Sequence, residues 1–478
     1  MTRPARVTEA VPRNPWVVLA CTSLAVFAVF LDTTILFVAF PDLTATFSSA
    51  STSDLSWVLN AYTIVFAAAL IPAGRLADRV GRRKVFLAAV VLFTFGSVLC
   101  GAAPSVPLLV LARVIQAVGA AALIPASLAI VLQSFPMQKV PVAVAIWGAV
   151  GAVAGATGPT LGALIVEHWS WRWAFYLNLV VGVASFLLAR RHLPDGKEED
   201  PRPLPDAVGV GLLVVGAVLV SFGIVKTDEW GWTAPSTMAA IAAGAAILGV
   251  FVLRCRRVSN PLIDLRLFEL RGFRWGNLGM LVFSISFNAL FFTNVQFLVR
   301  VWGYSILEAG LAISPGPATV AVLAPFFGRL AAGIGQRALL VPGGLVLALA
   351  GAYSITRIGA EPDFVGTWLP ASLLGGLGVA LCLPQLSSAS VQELPPDQRA
   401  SGSAISQSLR NLGSTLGVAL VVAFLGGQLA PDEVLAAFDR SWSLMVVCGV
   451  GVTLIALLLP RRERVAVSEA ELEVVAGR

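Results

Sequence analysis

Histidine is almost missing from this chain: 478 residues hold only His168 and His192, both at the ends of apolar stretches. A histidine-based metal cluster is therefore excluded. The five cysteines, Cys21, Cys100, Cys255, Cys382 and Cys448, show no paired spacing, which argues against a disulfide framework or a zinc site. Charge is scarce too, at 13% of residues against 57% hydrophobic ones, and a mean hydropathy of +0.84 is too high for a soluble globule. No Gly-x-x-x-x-Gly-Lys-Ser/Thr phosphate loop occurs, and no polar stretch is long enough to hold a nucleotide. No catalytic residues stand out: the apolar stretches hold no clustered nucleophile and base, so a membrane-embedded enzyme has nothing to stand on. A receptor would be expected to carry a sizeable soluble signalling domain, and none is present.

What the chain does have is apolar runs of about 20 residues, the length that crosses a bilayer core. Their approximate cores are 16–40, 54–73, 85–103, 107–132, 142–166, 173–190, 206–225, 235–253, 275–299, 307–328, 338–357, 366–390, 403–425 and 441–460, about fourteen spans of an all-α polytopic membrane protein. With the N-terminus inside, only Arg172, Lys226, Arg300, Arg357 and Arg440 of the 33 Lys and Arg residues fall on the outer side. Arg113 and Arg410 lie within spans, and the rest lie inside. That asymmetry predicts a multi-pass protein of the cell membrane with both termini cytoplasmic, and explains the net charge of +6 without a nucleic-acid partner. Trp57, Trp169, Trp171, Trp173, Trp230, Trp232, Trp302, Trp368 and Trp442 fall near outer span ends, where an interfacial belt would put them.

The spans are duplicated. Gly74-Arg-Leu-Ala-Asp-Arg-Val-Gly-Arg-Arg83 is echoed by Gly328-Arg-Leu-Ala-Ala-Gly-Ile-Gly-Gln-Arg337, Gly119 to Pro125 by Gly378 to Pro384, and Gly158-Pro-Thr-Leu-Gly162 by Gly413-Ser-Thr-Leu-Gly417. These matches relate span 2 to 10, 4 to 12 and 5 to 13, which means six spans, two inserted spans and six more. The expected division is an N-terminal half over 1–192, a linker with the two inserted spans over 193–274, a C-terminal half over 275–460 and a cytoplasmic tail over 461–478. Within the linker, Leu262 to Leu270 mixes apolar residues with charges and predicts a segment lying along the inner membrane surface.

Polar residues inside spans are expensive and point to function. Asp32 is the only acid well inside a span, so it is the expected proton carrier, with Arg113 on span 4 as its counter-charge. Substrate contacts are expected from Asp32 and Gln116, and from Asn288, Asn294, Gln296 and Gln385 with Phe27 and Phe291 as apolar wall, each of these last six equally suited to helix packing. Span 5 carries Gly148, Gly151, Gly155, Gly158 and Gly162, mostly on one face, where small residues admit a neighbouring helix, and Pro159 removes a backbone donor and predicts a kink. The loop residues Gly74, Asp78, Arg79, Gly81, Arg82 and Arg83 combine a tight turn with charges, beyond what a basic anchor needs.

At these motifs the chain resembles the major facilitator superfamily, and within it the fourteen-helix drug:proton antiporters. Gly74 to Lys84 looks like the superfamily's loop between helices 2 and 3, and Arg113 to Gly119 like its helix 4 motif. Gly151 to Gly162 looks like the helix 5 antiporter motif, and Leu31 to Pro41 like the helix 1 motif of the fourteen-helix group. Phe37 stands where that group usually has Asn, and Ala332 in the second loop replaces the counterpart of Asp78. The resemblance implies two six-helix halves, no cofactor beyond a proton gradient, a loop that latches the halves and a span 5 that seals them. The partners it implies are protons, the lipid bilayer and small drug-like molecules, amphipathic and cationic or aromatic, carried outward by a monomer. A dedicated exporter of one antibiotic or metabolite, and then an importer, are the alternatives; the span 5 motif argues against import.

Overall fold

A computed structural model describes residues 14–136, 139–194, 203–394, 398–425 and 431–460. Among these the chain is helical, with no strand. Six helices come first: α1 (Pro15–Thr46), α2 (Thr52–Val80), α3 (Arg82–Ala102), α4 (Val106–Ser134), α5 (Val140–His168) and α6 (Trp171–His192). Then follow α7 (Ala207–Val225), the single turn α8 (Thr227–Trp230) and α9 (Pro235–Arg257). The last group is α10 (Arg271–Arg300), α11 (Ile306–Ile313), α12 (Pro315–Ile334), α13 (Gln336–Arg357), α14 (Leu369–Gln392), α15 (Arg399–Leu425) and α16 (Pro431–Leu458). By length and apolarity 13 of the described helical segments can cross a bilayer, or up to 14 if the two limbs of α5 form one span.

Local chemistry explains the boundaries and breaks. Asn14 caps α1 by accepting from the Trp16 amide at 3.0 Å, with Pro15 at the first helical position, where its missing N–H costs nothing. The span expected over 307–328 is broken at Ser314, because Pro315 and Pro317 cannot donate back to the preceding turn. The last span begins at Pro431, ten residues before its expected core. The limbs Val142–Gly155 and Thr157–His168 of α5 meet at 40°. The bend lies where Pro159 cannot donate to the Gly155 carbonyl. Gly81 and Gly335, equivalent in the repeat, both carry positive φ, 120° and 87°, and each joins two helices without a loop. A side chain there would be strained, which is why the glycine survives in both copies.

Apolar packing joins the bundle unevenly. At the end away from the N-terminus one cluster runs through both groups of helices, from Leu36, Phe40 and Leu55 to Phe292, Phe297 and Trp368. Toward the other end one cluster lies around Phe66, Phe86 and Phe93 and another around Phe283, Leu340 and Leu386, while a third, through Ala68, Ile71, Leu213, Phe273 and Ile405, joins α2 to α10 and α15 by way of α7. Helices α7 and α9 pack on each other, and α7 lies against α2 and α15. Asp206 closes this hairpin: it caps α7 by accepting from Gly209 N at 2.9 Å and pairs with Arg254 at the end of α9. The Arg254 hydrogen bond, helped by the cap amides, holds the Asp206 carboxyl below the usual carboxylate range.

Leu262, Ile263 and Leu267 are buried with Leu213, Phe251 and Phe273, because the inserted helices offer them an apolar face. One expectation is corrected here: the tryptophans do not form a single belt. Trp169, Trp173, Trp230 and Trp232 are exposed, but Trp171, Trp302, Trp368 and Trp442 are buried, and the last three surround Phe297 with ring centroids 4.9–5.9 Å away. Each buried indole N–H has an acceptor: Thr46 Oγ1, the Gly359 and Ala312 carbonyls, and Asn294 Oδ1. A satisfied N–H is what lets a tryptophan leave the interface for the core.

Candidate functional site

Asp32 and Arg113 touch. Both are buried, and Arg113 Nη1 donates to Asp32 Oδ2 at 2.6 Å. The other carboxylate oxygen accepts from Gln116 Nε2 and Asn178 Nδ2, each at 2.9 Å. Asn178 Nδ2 also donates to Ser97 Oγ at 3.0 Å, and Ser97 in turn to the Phe175 carbonyl. The guanidinium donates through Nε to the Val58 carbonyl at 3.1 Å and lies over the Tyr62 ring, 4.0 Å from its centroid. Five helices, α1, α2, α3, α4 and α6, thus meet at one charge pair. Removing one partner of such a buried pair leaves the other uncompensated, at a cost of about 3–5 kcal/mol.

A separate cavity of about 430 Å³ lies between the two groups of helices. From α1 it takes Val29, Phe30, Thr33, Thr34 and Phe37, a stripe at helical spacing; Asp32 lies off this stripe, on the face toward α4 and α6. No residue of α4 lines it, whereas α14 contributes Ser372, Gly375 and Gly376. Aligning Gly119 with Gly378 puts Ser372 opposite Arg113 and Gly375 opposite Gln116. The charged pair fills the first half at the place where small residues leave room in the second. Tyr62 stands between the two sites, lining the cavity with its ring against Arg113.

Of the expected substrate contacts, Asn288, Phe291 and Asn294 line the cavity. Asp32, Gln116, Phe27, Gln296 and Gln385 do not line it. Asp32 and Gln116 are turned into the first-half network, and Phe27 packs with Leu31, Ile35 and Ala174. Gln296 and Gln385 are buried away from the cavity wall, each with one amide atom lacking a hydrogen-bond partner. Asn178 was missed, although a lone amide inside span 6 is the kind of signal that singled out Asp32. Arg410 and Asn411 also line the cavity.

The architecture and these two sites can be set beside known proteins. A model described as Major Facilitator Superfamily matches residues 22–263 and 276–475. The chain belongs to the major facilitator superfamily. Its superfamily relatives include the multidrug resistance protein Stp of Mycobacterium tuberculosis, 33% identical over 87% of this chain and 77% of that protein. The multidrug export protein EmrB of Escherichia coli is 31% identical over 83% and 78%, and the cephamycin export protein CmcT of Amycolatopsis lactamdurans 30% identical over 97% and 96%. A bacterial homologue of the lysosomal transporter Spinster shares the fold at TM-score 0.66 and 18% identity, covering 93% of this chain and 97% of that one. The chain is therefore a multi-pass membrane transporter of the superfamily's drug-efflux branch, and not an enzyme.

The superfamily loop has a concrete local structure. Asp78 accepts from Arg82 Nε at 3.0 Å, Arg75 donates to the Pro203 carbonyl at 3.0 Å, and Arg79 is exposed. Arg83 donates to the Arg190 carbonyl at 2.6 Å, and its repeat counterpart Arg337 to the Leu459 carbonyl at 3.3 Å. Each arginine thus satisfies a carbonyl at the end of its own half's last helix. In α5, Gly151, Gly158 and Gly162 face Phe30, Thr34 and Ile35 of α1, while a Cβ on Gly148 or Gly155 would meet nothing. Beyond the bend α5 meets the second group directly: a Cβ on Gly310 would lie 2.9 Å from the Pro159 carbonyl, and Thr160 and Ser314 hydroxyls are 2.8 Å apart. The counterparts Gly413 and Gly417 lie against carbonyls of Leu281 and Ile285 on α10, close helix packing of the same kind.

Proposed function

We propose that this protein is a proton-coupled antiporter that exports amphipathic aromatic molecules by alternating access of two six-helix halves, 1–192 against 275–460, acting as a monomer. The observation that carries the reading is the separation of a buried, fully engaged Asp32–Arg113 pair from an apolar cavity by a single ring, Tyr62. A proton on Asp32 weakens its hold on Arg113 and so loosens the contact of α4 with α1 and α2. Substrate and proton then compete through the conformation of α1 and Tyr62 rather than for one carboxylate. With the termini in the cytoplasm, as the basic residues suggest, the cluster through Leu36, Phe40, Phe292 and Phe297 seals the outer side, and on the inner side the halves are joined only along α2, α7 and α15 in the apolar clusters of the described residues. Helices α7 and α9 serve as an edge support, with α7 against α2 and α15.

A dedicated exporter of one antibiotic is the second reading; the match to CmcT over nearly the whole of both chains favours it. Efflux of a dye panel from everted membrane vesicles tests the reading. Transport of several unrelated aromatic dyes that stops when the proton gradient is collapsed is expected, and transport indifferent to the gradient would refute proton coupling. The loop gives a further expected result in the same assay. Asp78→Asn, which removes the carboxylate that holds Arg82, should cut the rate about tenfold, whereas Ala332→Ser should leave it within about twofold, since that copy has no carboxylate to lose. Equal tolerance at the two positions would end the latch assignment.

A further inference from the structure

The charge inside the cavity has the sign opposite to that expected of a site for cationic drugs. Among the described residues that line it there is no Asp or Glu, and the one ionic side chain is Arg410 of α15. Arg113, the other arginine within a span, is balanced by a carboxylate, a carbonyl and an aromatic face. Arg410 has no carboxylate partner among the described residues. The contacts it makes are to the amide oxygen of Gln407, one turn back on its own helix, from Nε at 3.2 Å and Nη2 at 3.0 Å with that amide turned to accept. A neutral amide does not offset a charge at this depth, so the helix bears a cost that a ligand can relieve. The same cavity is lined by the polar Asn411 and Ser414 of α15 and Asn288 of α10 and by the apolar rings of Phe30, Phe37 and Phe291.

We propose that the transported molecule is an aromatic anion, with a carboxylate or comparable oxyanion held by Arg410 and the rings lying against the phenylalanines. The guanidinium offers a planar fork of donors that matches a carboxylate, and the cavity's low polarity strengthens the pairing. This deepens the transport reading, because it takes the cavity as the transport site. Its test, however, is made at equilibrium without any gradient.

The test is fluorescence anisotropy binding of two xanthene dyes, fluorescein as the anion and rhodamine 6G as the cation, to the purified full-length chain in lipid nanodiscs. Fluorescein should bind at least about tenfold more tightly, and Arg410→Gln should erase that preference by weakening fluorescein alone, while Arg410→Lys should keep part of it. The wild-type comparison needs no variant to fold: rhodamine 6G binding as tightly as fluorescein, or neither dye binding, overturns the proposal. An equal loss for both dyes in Arg410→Gln overturns it too, by making Arg410 a packing residue. Failure of proton coupling would appear separately, as gradient-independent efflux with the anion preference intact.

Discussion

Asp32→Asn should bring gradient-driven efflux down to the background leak while leaving equilibrium binding of the same dye within about twofold. The two halves of this expectation come from different observations. An amide can keep the contacts from Gln116 and Asn178 only in part, cannot carry a proton, and leaves the Arg113 guanidinium without its counter-charge. The broken pair costs up to about 3–5 kcal/mol, so the variant's thermal stability should fall while it still inserts. Binding is spared because the carboxylate is not part of the cavity wall. Efflux at the wild-type rate would remove Asp32 from coupling, and a large loss of binding with efflux would mean that the carboxylate reaches the substrate in another conformation.

A single methyl group should distinguish two glycines that look alike in the sequence. At Gly417 a Cβ would run into the Ile285 carbonyl and lie 3.1 Å from its carbon, and backbone cannot rotate away. Helices α10 and α15 would have to separate along the seam that also holds Gly413. Overpacking of this kind costs about 1–3 kcal/mol, which corresponds to a fall of roughly 1–3 °C in apparent melting temperature for Gly417→Ala in a chain of this length. Gly148→Ala, where the new carbon meets nothing within 4 Å, should melt within about 0.5 °C of the parent. Scanning fluorimetry on the two detergent-purified variants checks this. Equal melting temperatures would mean that the α10–α15 seam is looser than its geometry implies.

Hydrophobic run lengths, the offset between repeats and the glycine, proline and charge spacing determined the fold of this protein at the level of helices. Bilayer thickness and backbone hydrogen bonding leave an apolar run of about 20 residues little choice but helix. The bend in α5 was readable from Pro159 for the same reason, since a missing donor acts on its own helix wherever that helix packs. The pairing of Asp32 with Arg113 was legible as a guess because each is the kind of residue that a membrane span cannot leave unbalanced.

Only the tertiary structure decided which way each side chain faces, because that depends on how a helix is rotated against partners distant in sequence. Rotation of α1 turned Asp32 toward Asn178 and Gln116 and gave the cavity Phe30, Thr33, Thr34 and Phe37 instead. Rotation of α15 pointed Arg410 into the cavity, where position along the chain marked it only as a charge within a span. Burial of Trp302, Trp368 and Trp442 around Phe297 likewise required acceptors from other helices. Sequence periodicity fixes which residues share a face, and packing between helices fixes what that face meets.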